Sequence, residues 1–237
     1  MTDETPRKLV SEHDWDSTWT KIFDKYQADL RHAHYIRALR RRREVRLLEI
    51  AAGSFRDMAA LNRMGVCCEG ADFSAESVDL AKVRFPDLAG AIHKMDAFAF
   101  EFPDGQFDLT YHNGFWGLFA DAEIKALATE QARISKGRMI ATVHNAHNEQ
   151  FRGYFERTAV SDPLFNIRFF DVEEISEIMR AVCPRVTVIP VGKAKKKHED
   201  TLINLGLTTP ALLNAYLRLS GHRLLEQSER LLCIGEF

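Results

Sequence analysis

Apolar residues recur along the middle of the chain with two different periods. Segments in which they lie three and four positions apart predict helices, and short continuous runs predict buried strands. Helical segments separate these runs, and strands that alternate with helices predict a doubly wound, mostly parallel α/β sheet. The predicted strands cover residues 45–51, 66–71, 91–95, 106–112 and 138–144.

The pattern changes at both ends of the chain. Residues 1–12 are polar and predict a flexible tail, and the remainder, 13–237, has the length of a single domain. An aromatic stripe with helical spacing precedes the first strand, and residues 145–170 predict an irregular segment rich in aromatic side chains. An antiparallel hairpin with a long helical insertion ends the chain, at about residues 186–191, 198–228 and 230–236.

Composition and charge exclude several classes of protein. The net charge of −2 over 237 residues gives no overall attraction to nucleic acid or to an anionic membrane. We expect no membrane span, because no apolar run approaches the roughly 20 residues that a span requires. The N-terminus lacks the apolar core of a signal peptide, so the expected location is the cytoplasm. The four cysteines form no C-x-x-C pair and predict buried, reduced thiols rather than a metal site.

Acidic residues follow three successive predicted strands. Glu49, Asp72 and Asp96 are 23 and 24 residues apart, which is about one strand–helix unit each. In a parallel sheet the carboxyl ends of the strands lie along one edge, where open α/β sheets bind their ligands. Gly53 follows the first strand and allows backbone to approach a ligand closely, since it has no Cβ. These positions predict one ligand that carries hydroxyl and amino groups.

Three segments together resemble a known family. The run Leu48-Glu-Ile-Ala-Ala-Gly-Ser54 is similar to motif I of the class I S-adenosylmethionine-dependent methyltransferases. The run from Cys68 to Ser77 is similar to the family's second strand end, and the runs 95–98 and 102–109 are similar to the third strand end and the segment before strand four. The resemblance covers about residues 45–145. It implies a Rossmann-like fold, S-adenosylmethionine as donor, S-adenosylhomocysteine as product, and no metal.

The resemblance also implies roles for single residues. Glu49 would orient the motif I loop near the methionine ammonium, Asp72 would accept from both ribose hydroxyls, and Asp96 would accept from the adenine amino group. Ala51 and Phe55 replace the family's first and third glycines; Ala51 fits if its φ is negative, and Phe55 would either narrow the pocket or wall off the donor. The implied donor-binding residues are Glu49, Ala51, Gly53, Ser54, Asp72, Phe73, Asp96, Ala97, Phe98 and Asn113.

Candidate catalytic and acceptor-binding residues come from the ends of strands four and five and from the aromatic segments. His144 and His147 follow strand five and are candidate bases, since histidine ionises near neutral pH; the alternative is a structural role in a loop. The aromatic residues either pack in the core or contact a cyclic, partly apolar acceptor. The candidates for acceptor contact are Trp15, Trp19, Tyr26, Trp116, Phe151 and Tyr154.

The sequence therefore predicts a methyltransferase that acts on oxygen or nitrogen of a small molecule, such as a secondary metabolite or a sugar. Methylation of RNA or protein through the basic runs 40–43 and 193–197 is an alternative, and so is a non-catalytic interaction protein with the same fold. Homodimer formation is left open, because the insertions could form either the acceptor side or a subunit contact. The expected divisions are a helical lid at 13–44, a donor-binding core at 45–145, and acceptor-side insertions at 145–170 and 198–228.

Overall fold

The computed structural model describes residues 12–192, 196–204 and 210–237. The predicted tail and most of the basic run 193–197 lie outside these residues. The described chain forms two compact units. The N-terminal unit extends to Asn113 and includes Ala126–Met139, and the C-terminal unit comprises Gly114–Lys125 and Ile140–Phe237.

Parallel strands form the centre of the N-terminal unit. They lie in the order β3-β2-β1-β4, so β1 lies between β2 and β4. The register pairs Glu49 with Gly70 on one side and with Tyr111 on the other. The strands are β1 (Arg46–Ile50), β2 (Cys67–Asp72), β3 (Ile92–Lys94) and β4 (Leu109–Asn113), and the helices are α1 (Glu12–Ile22), α2 (Arg31–Leu39), α3 (Arg56–Arg63) and α4 (Ala75–Arg84).

The C-terminal unit contains the antiparallel part of the fold. Strand β8 lies between β5 and β7 and is antiparallel to β7, while β6 pairs with β5 in the parallel sense. Helix α5 (Asp121–Ile134) begins in this unit and ends in the other. The remaining elements are β5 (Arg138–Asn145), α6 (Glu149–Ala159), β6 (Phe169–Phe170), α7 (Val172–Arg180), β7 (Arg185–Val191), α8 (Lys196–Asn204), α9 (Pro210–Ser220) and β8 (Arg230–Glu236).

The predicted fold class is confirmed: the sheet is doubly wound and mostly parallel, with an antiparallel strand at the C-terminus. Ser74 begins α4, because its side chain accepts from the Ser77 amide at 3.1 Å. The helical insertion between β7 and β8 is also present, as α8 and α9.

Two predictions about local structure are wrong. Residues 145–170 are not irregular, because Asn148 accepts from the Phe151 amide at 3.0 Å and begins α6. Strand β4 begins at Leu109 rather than at residue 106. The segment 13–44 is helical, with most residues of α2 buried, and its role as a lid stays a prediction.

The side chain of Phe55, the residue just before α3, packs into the core. It is fully buried, and a Cβ placed on Gly70 of β2 would lie 2.7 Å from its ring. The same Cβ would also approach the Met58 sulfur at 3.1 Å. The large residue at position 55 therefore fits only because position 70 of the neighbouring strand has no side chain.

This complementarity predicts that Gly70→Ala destabilises the fold. Because a buried ring must shift to accept the new methyl group, we expect the free energy of unfolding to fall by about 1–3 kcal/mol in urea denaturation. Gly90→Ala is the matched control, since nothing lies within 4 Å of its Cβ position. Equal effects of the two substitutions would contradict the packing described here.

Candidate active site

The Asp72 carboxylate joins two loops at the carboxyl end of β2. Its Oδ2 accepts from the Gly53 amide at 2.8 Å, and its Oδ1 accepts from the Ser74 amide at 3.0 Å. The side chain is buried, and desolvation raises the pKa of this carboxyl to about 6 although the amide hydrogen bonds lower it. Since each carboxylate oxygen has two lone pairs, each oxygen can accept a further hydrogen bond.

Glu49 points into the start of helix α3. Its Oε2 accepts from the Met58 amide at 2.8 Å, and the side chain is buried. Burial and the nearby Asp57 carboxylate raise the pKa of Glu49 well above its ordinary value. Tyr111 hydrogen-bonds the same carboxyl and lies 3.4 Å from the Cys68 sulfur. The sequence predicted that Glu49 orients the motif I loop, and this hydrogen bond ties that carboxyl to the first turn of the following helix.

More exposed residues lie beside Asp72 at the ends of β2 and β3. The Met95 amide donates to the Asp72 carbonyl at 3.0 Å, so the residues after β3 begin next to the end of β2. Asp96 is exposed, and its Oδ1 accepts from the Phe98 amide at 2.9 Å. The side chains of Phe73 and Phe98 are 37% and 40% exposed. Two aromatic faces and a carboxylate are therefore accessible here, as an adenine ring and its amino group require.

Ala51 has a φ of +50°, so the condition under which alanine would fit this position without strain, a negative φ, is not met. An alanine in the left-handed region is disfavoured by about 1–2 kcal/mol, because its Cβ approaches the next carbonyl oxygen. Phe55 has a φ of +53° and is left-handed as well. At both positions where the family has glycine, the backbone of this chain therefore has the left-handed geometry that glycine favours, although the residues are larger. The ring of Phe55 packs against Gly70 in the core, and its effect on the donor pocket stays a prediction.

Trp19 covers the loop at Gly53. A Cβ placed on Gly53 would lie 2.3 Å from Cζ2 of the indole and 2.5 Å from Cη2. Gly53 also has a φ of +54°, so both its backbone and its surroundings require glycine. The face of the loop that the family resemblance assigns to the donor is thus in contact with a side chain of helix α1.

Polar contacts tie the N-terminal segment to the same loops. The Ser74 hydroxyl donates to Asp16, and the Glu76 amide donates to the same carboxylate at 3.3 Å. Further along, Gln27 donates to the Ser54 carbonyl at 3.0 Å. Arg56 donates to the Tyr26 carbonyl, and its guanidinium lies 5.5 Å from the Tyr26 ring centre. The segment from α1 to Gln27 therefore lies directly over the ends of β1 and β2.

These residues fit S-adenosylmethionine once Trp19 moves. Asp72 offers lone pairs to ribose hydroxyls, and Phe73 and Phe98 offer apolar faces to a base. Ser54 is buried, and its carbonyl is held by Gln27, so Ser54 supports the loop. Ala97 is half-buried next to Asp96, and Asn113 is half-buried at the end of β4.

His144 is enclosed at the carboxyl end of β5 in the C-terminal unit. Its ring centre lies 5.1 Å from those of Phe155 and Phe169, and 6.3 Å from that of Phe151. Arg230, the first residue of β8, donates to its Nε2. Burial, and then the Arg230 charge, lower the pKa of His144 well below its ordinary value. Because the imidazole is buried and its Nε2 already accepts a hydrogen bond, His144 is a weak base, which argues against it as the catalytic base.

His147 lies beside a cavity of about 820 Å³ in the same unit. Its Nε2 accepts from the Val172 amide at 3.2 Å, at the start of α7. A neutral imidazole that accepts at Nε2 carries its hydrogen on Nδ1. The cavity is otherwise polar, with Glu149 and Glu226 among the residues that line it.

The aromatic residues of α6 form a cluster around His144. No residue of α6 is buried, although Phe151 and Phe155 have ring centres 4.9 Å apart and both approach Phe169. Tyr154 is 51% exposed and contacts Phe155 and Phe165 edge-on. We call His144, Phe151, Phe155 and Phe169 the aromatic cluster.

One candidate for acceptor contact, Trp116, is only 1% exposed and belongs to the core. The nearby His112 is also fully buried, and desolvation lowers its pKa to about 3. Other residues of the candidate site were missed. Phe155, Phe169 and Arg230 were not among the candidates. Phe155 could have been found from its helical spacing to Phe151, whereas the position of Arg230 depends on strand order.

A comparison with family models supports this picture of the N-terminal unit. Residues 47–137 match a family described as a methyltransferase domain. The matched segment includes the motif I loop, Asp72 and Asp96. A search of the curated proteins found no match.

Several solved structures share the fold. A methyltransferase from Thermotoga maritima, described as a possible histamine N-methyltransferase, is 18% identical, with a TM-score of 0.63 over 96% of this chain and 98% of that one. A Haloferax volcanii structure of a putative methyltransferase with the Trm112 activator is 19% identical, with a TM-score of 0.65 over 94% and 97%. Geranyl diphosphate C-methyltransferase from Streptomyces coelicolor, in complex with S-adenosylhomocysteine, is 15% identical, with a TM-score of 0.58 over 86% and 74%.

The sheet topology is that of a Rossmann-like methyltransferase fold, and residues 47–137 match the methyltransferase-domain family. The solved structures that share this fold include an S-adenosylmethionine-dependent methyltransferase and one methyltransferase in complex with S-adenosylhomocysteine. Within the described residues, no group of three histidine, cysteine, aspartate or glutamate side chains is arranged to hold a metal. None of the helices in that part of the chain has the length and apolar character to cross a membrane.

The contact between Trp19 and Gly53 predicts that the indole slows donor binding. Because the ring must leave the loop before a ligand can enter, Trp19→Ala should raise the association rate constant for S-adenosylhomocysteine by about tenfold, as expected for loss of a contact of roughly 1–2 kcal/mol. Surface plasmon resonance on immobilised protein measures this rate. Lys21→Ala, at an exposed position of the same helix, is the matched control. An unchanged or slower association in Trp19→Ala would contradict the covering role.

Proposed function

We propose that this protein methylates an oxygen or nitrogen atom of a small, cyclic and partly apolar molecule. The observation that carries the proposal is the aromatic cluster at the end of β5. An exposed helix, α6, turns phenylalanine rings toward a buried histidine, and these rings remain partly accessible. Ligand sites are typically concave and mostly apolar, with a few polar groups that fix orientation.

The donor side of the proposal rests on the N-terminal unit. We assign the ribose hydroxyls to Asp72, the adenine amino group to Asp96, and the flanks of the adenine to Phe73 and Phe98. Gly53 lets the backbone approach the donor, and Glu49 holds the loop against α3. The bound cofactor supplies a methyl group on a positively charged sulfur, which leaves as a neutral thioether.

Positioning is the main contribution that these residues make to catalysis. An aligned acceptor reacts much faster than one in solution, because the cost of bringing the reactants together is met on binding. An amine needs only to be neutral, and a hydroxyl needs to lose its proton. His144 has a pKa well below neutral, and His147 uses its Nε2 to accept from Val172. We therefore propose that orientation of the acceptor, rather than a histidine base, supplies most of the rate.

Two observations bear on the alternative acceptors. Arg40 donates to the carbonyls of Arg41 and Glu44 and so closes the end of α2. Only part of the basic run 40–43 is therefore exposed, which weakens the case for an RNA or protein acceptor. The match of residues 47–137 to the methyltransferase-domain family weakens the case for a non-catalytic interaction protein.

The direct test is a search for methylated products. The purified protein is incubated with S-adenosylmethionine carrying a deuterated methyl group and with a metabolite extract, total RNA or a protein extract. Mass spectrometry should find the labelled methyl group on a small molecule only. Label that appears only in RNA or protein would contradict the proposal. Asp72→Ala, which should weaken donor binding, should incorporate less label and so distinguishes enzymatic transfer from background label.

The raised pKa of Asp72 predicts that donor binding depends on pH. Ribose hydroxyls donate to the ionised carboxylate, so binding should lower its pKa and release a proton near pH 6. We expect the affinity for S-adenosylhomocysteine to fall as the pH drops below about 6. Calorimetry in buffers of different ionisation enthalpy should detect about half a proton released at that pH.

Two variants test whether the pH dependence of donor binding comes from Asp72 or from another ionisable group. Asp72→Asn should remove this pH dependence and weaken binding by about 1–3 kcal/mol, the cost of losing charge-assisted hydrogen bonds. Asp79→Ala, at an exposed site on α4, should leave both the affinity for the donor and its pH dependence unchanged. A wild-type pH profile in Asp72→Asn would refute the ribose assignment.

The role of His147 has its own test. If acceptor orientation supplies the rate, His147→Gln should lower kcat by less than tenfold, because glutamine can still accept from the Val172 amide. A larger fall, together with loss of a basic limb in the pH profile of kcat, would restore His147 as the base. His144→Gln, compared in the same assay, tests the other candidate.

A further inference from the structure

Two buried carboxyl groups lie together at the start of α3. Glu49 is 4% exposed, and Asp57, in the first turn of α3, is 1% exposed. The amide of Met58, the residue after Asp57, donates to Oε2 of Glu49 at 2.8 Å. The two acidic side chains therefore share one region that excludes water, where two neighbouring negative charges are strongly disfavoured.

Helix α2 supplies a partner for Asp57. Nδ1 of His32 lies 2.7 Å from Oδ2 of Asp57, and both side chains are buried. An ionised carboxylate can only accept, so the imidazole nitrogen donates to it. Asp57 also lies in the first turn of α3, where the helix dipole favours a negative charge. Asp57 is therefore the member of the pair that is better placed to be ionised, and its partner lies outside the segment 47–137 that matches the family model.

The negative charge of Asp57 is only partly compensated. Its Oδ1 is buried and accepts no hydrogen bond from the described residues, and Nε of Arg56 is 3.7 Å away. Burial, and then the Asp57 charge, raise the pKa of Glu49 well above its ordinary value, although the Met58 amide opposes this. Glu49 is therefore the member of the pair that retains a proton.

Other ionisable groups that act on the two carboxyls come from four elements: His34 on α2, Arg56 on α3, Cys68 on β2 and Tyr111 on β4. Burial raises the pKa of the Cys68 thiol and the Tyr111 hydroxyl, and lowers the pKa of His34. These three groups are thus uncharged at neutral pH. Arg56 supplies one positive charge, which balances one carboxylate and not two.

We propose that the Glu49 and Asp57 carboxyls hold one proton between them in the free protein, and that this proton passes to solvent when the ammonium group of the donor binds beside Glu49. Because the proposed donor site places that ammonium group, the inference rests on the proposed function and specifies how the donor site responds to pH. Asp57 and His32 are positioning residues, since they act on the donor through Glu49. A positive ligand group favours the ionised carboxylate, so donor affinity rises with pH through the neutral range.

Calorimetry with two matched ligands tests this linkage. S-adenosylhomocysteine carries the ammonium group, whereas 5′-methylthioadenosine keeps the adenine, the ribose and the sulfur but lacks the amino acid. In buffers of different ionisation enthalpy at about pH 7.5, we expect S-adenosylhomocysteine to release about 0.5–1 proton more than 5′-methylthioadenosine. This proton is additional to the one expected from Asp72, whose contribution is common to both ligands and cancels in the difference.

Variants at the pair identify the groups that hold the proton. Glu49→Gln should abolish the difference in proton release, and Asp57→Asn should lower it by about twofold or more, because Glu49 is then largely ionised before the ligand binds. Both amides can still accept, from Met58 and His32 respectively. His32→Asn should retain the wild-type difference, since asparagine can donate to Asp57 without carrying a charge. Asp79→Asn, at an exposed site on α4, is the matched control.

The outcomes separate the proton-sharing pair from the donor site on which it rests. Thermal unfolding and binding of 5′-methylthioadenosine confirm that each variant is folded. Equal proton release with the two ligands, an unchanged difference in Asp57→Asn, or its loss in His32→Asn would overturn the shared proton while leaving the donor site intact. Failure of both ligands to bind the wild-type protein would overturn the donor assignment, and the shared proton with it.

Discussion

The carboxylate of Asp72 is the constraint on which the proposed donor-binding edge depends. It accepts from amides in two different loops, after β1 and after β2, and so fixes the distance between them. The same hydrogen bonds position Gly53, whose backbone faces the donor in our proposal, and Ser74, which begins α4. Burial raises the pKa of this carboxyl to about 6, so it remains mostly ionised at neutral pH and can serve both the loops and a ligand.

The N-terminal segment gives this edge a cover that belongs to the protein itself. Trp19 packs on Gly53, and Asp16 accepts from Ser74, the residue that also donates to Asp72. A donor in the proposed position has to displace these protein contacts as well as water. We therefore expect movement of α1 to be coupled to occupancy of the proposed donor site.

Parallel strand geometry made much of the site predictable from the sequence. The acids Glu49, Asp72 and Asp96 end or follow three successive strands, and such strand ends lie along one edge. Contacts between distant residues were not predictable in this way. The ring of Phe55 fits because Gly70 is small, and neither residue alone indicates the other.

The acceptor side was harder to predict for a similar reason. Helix α6 had a local signal, since Asn148 precedes phenylalanines at helical spacing, but its aromatic content outweighed that signal. The pairing of His144 with Arg230 arises from the position of β8 beside β5, although the two residues are far apart in sequence. Histidine after a parallel strand indicated a base, whereas burial and a neighbouring arginine make this one a neutral hydrogen-bonding group.

A crystal structure of the complex with S-adenosylhomocysteine tests the central claim most directly. The decisive quantities are the distances from the Asp72 oxygens to the ribose hydroxyls and from the Trp19 indole to Gly53. We predict hydrogen-bond distances to both hydroxyls, with the indole displaced from the loop. A ligand bound elsewhere, with Trp19 still packed on Gly53 and Asp72 bonded only to its two amides, would contradict this description of the site.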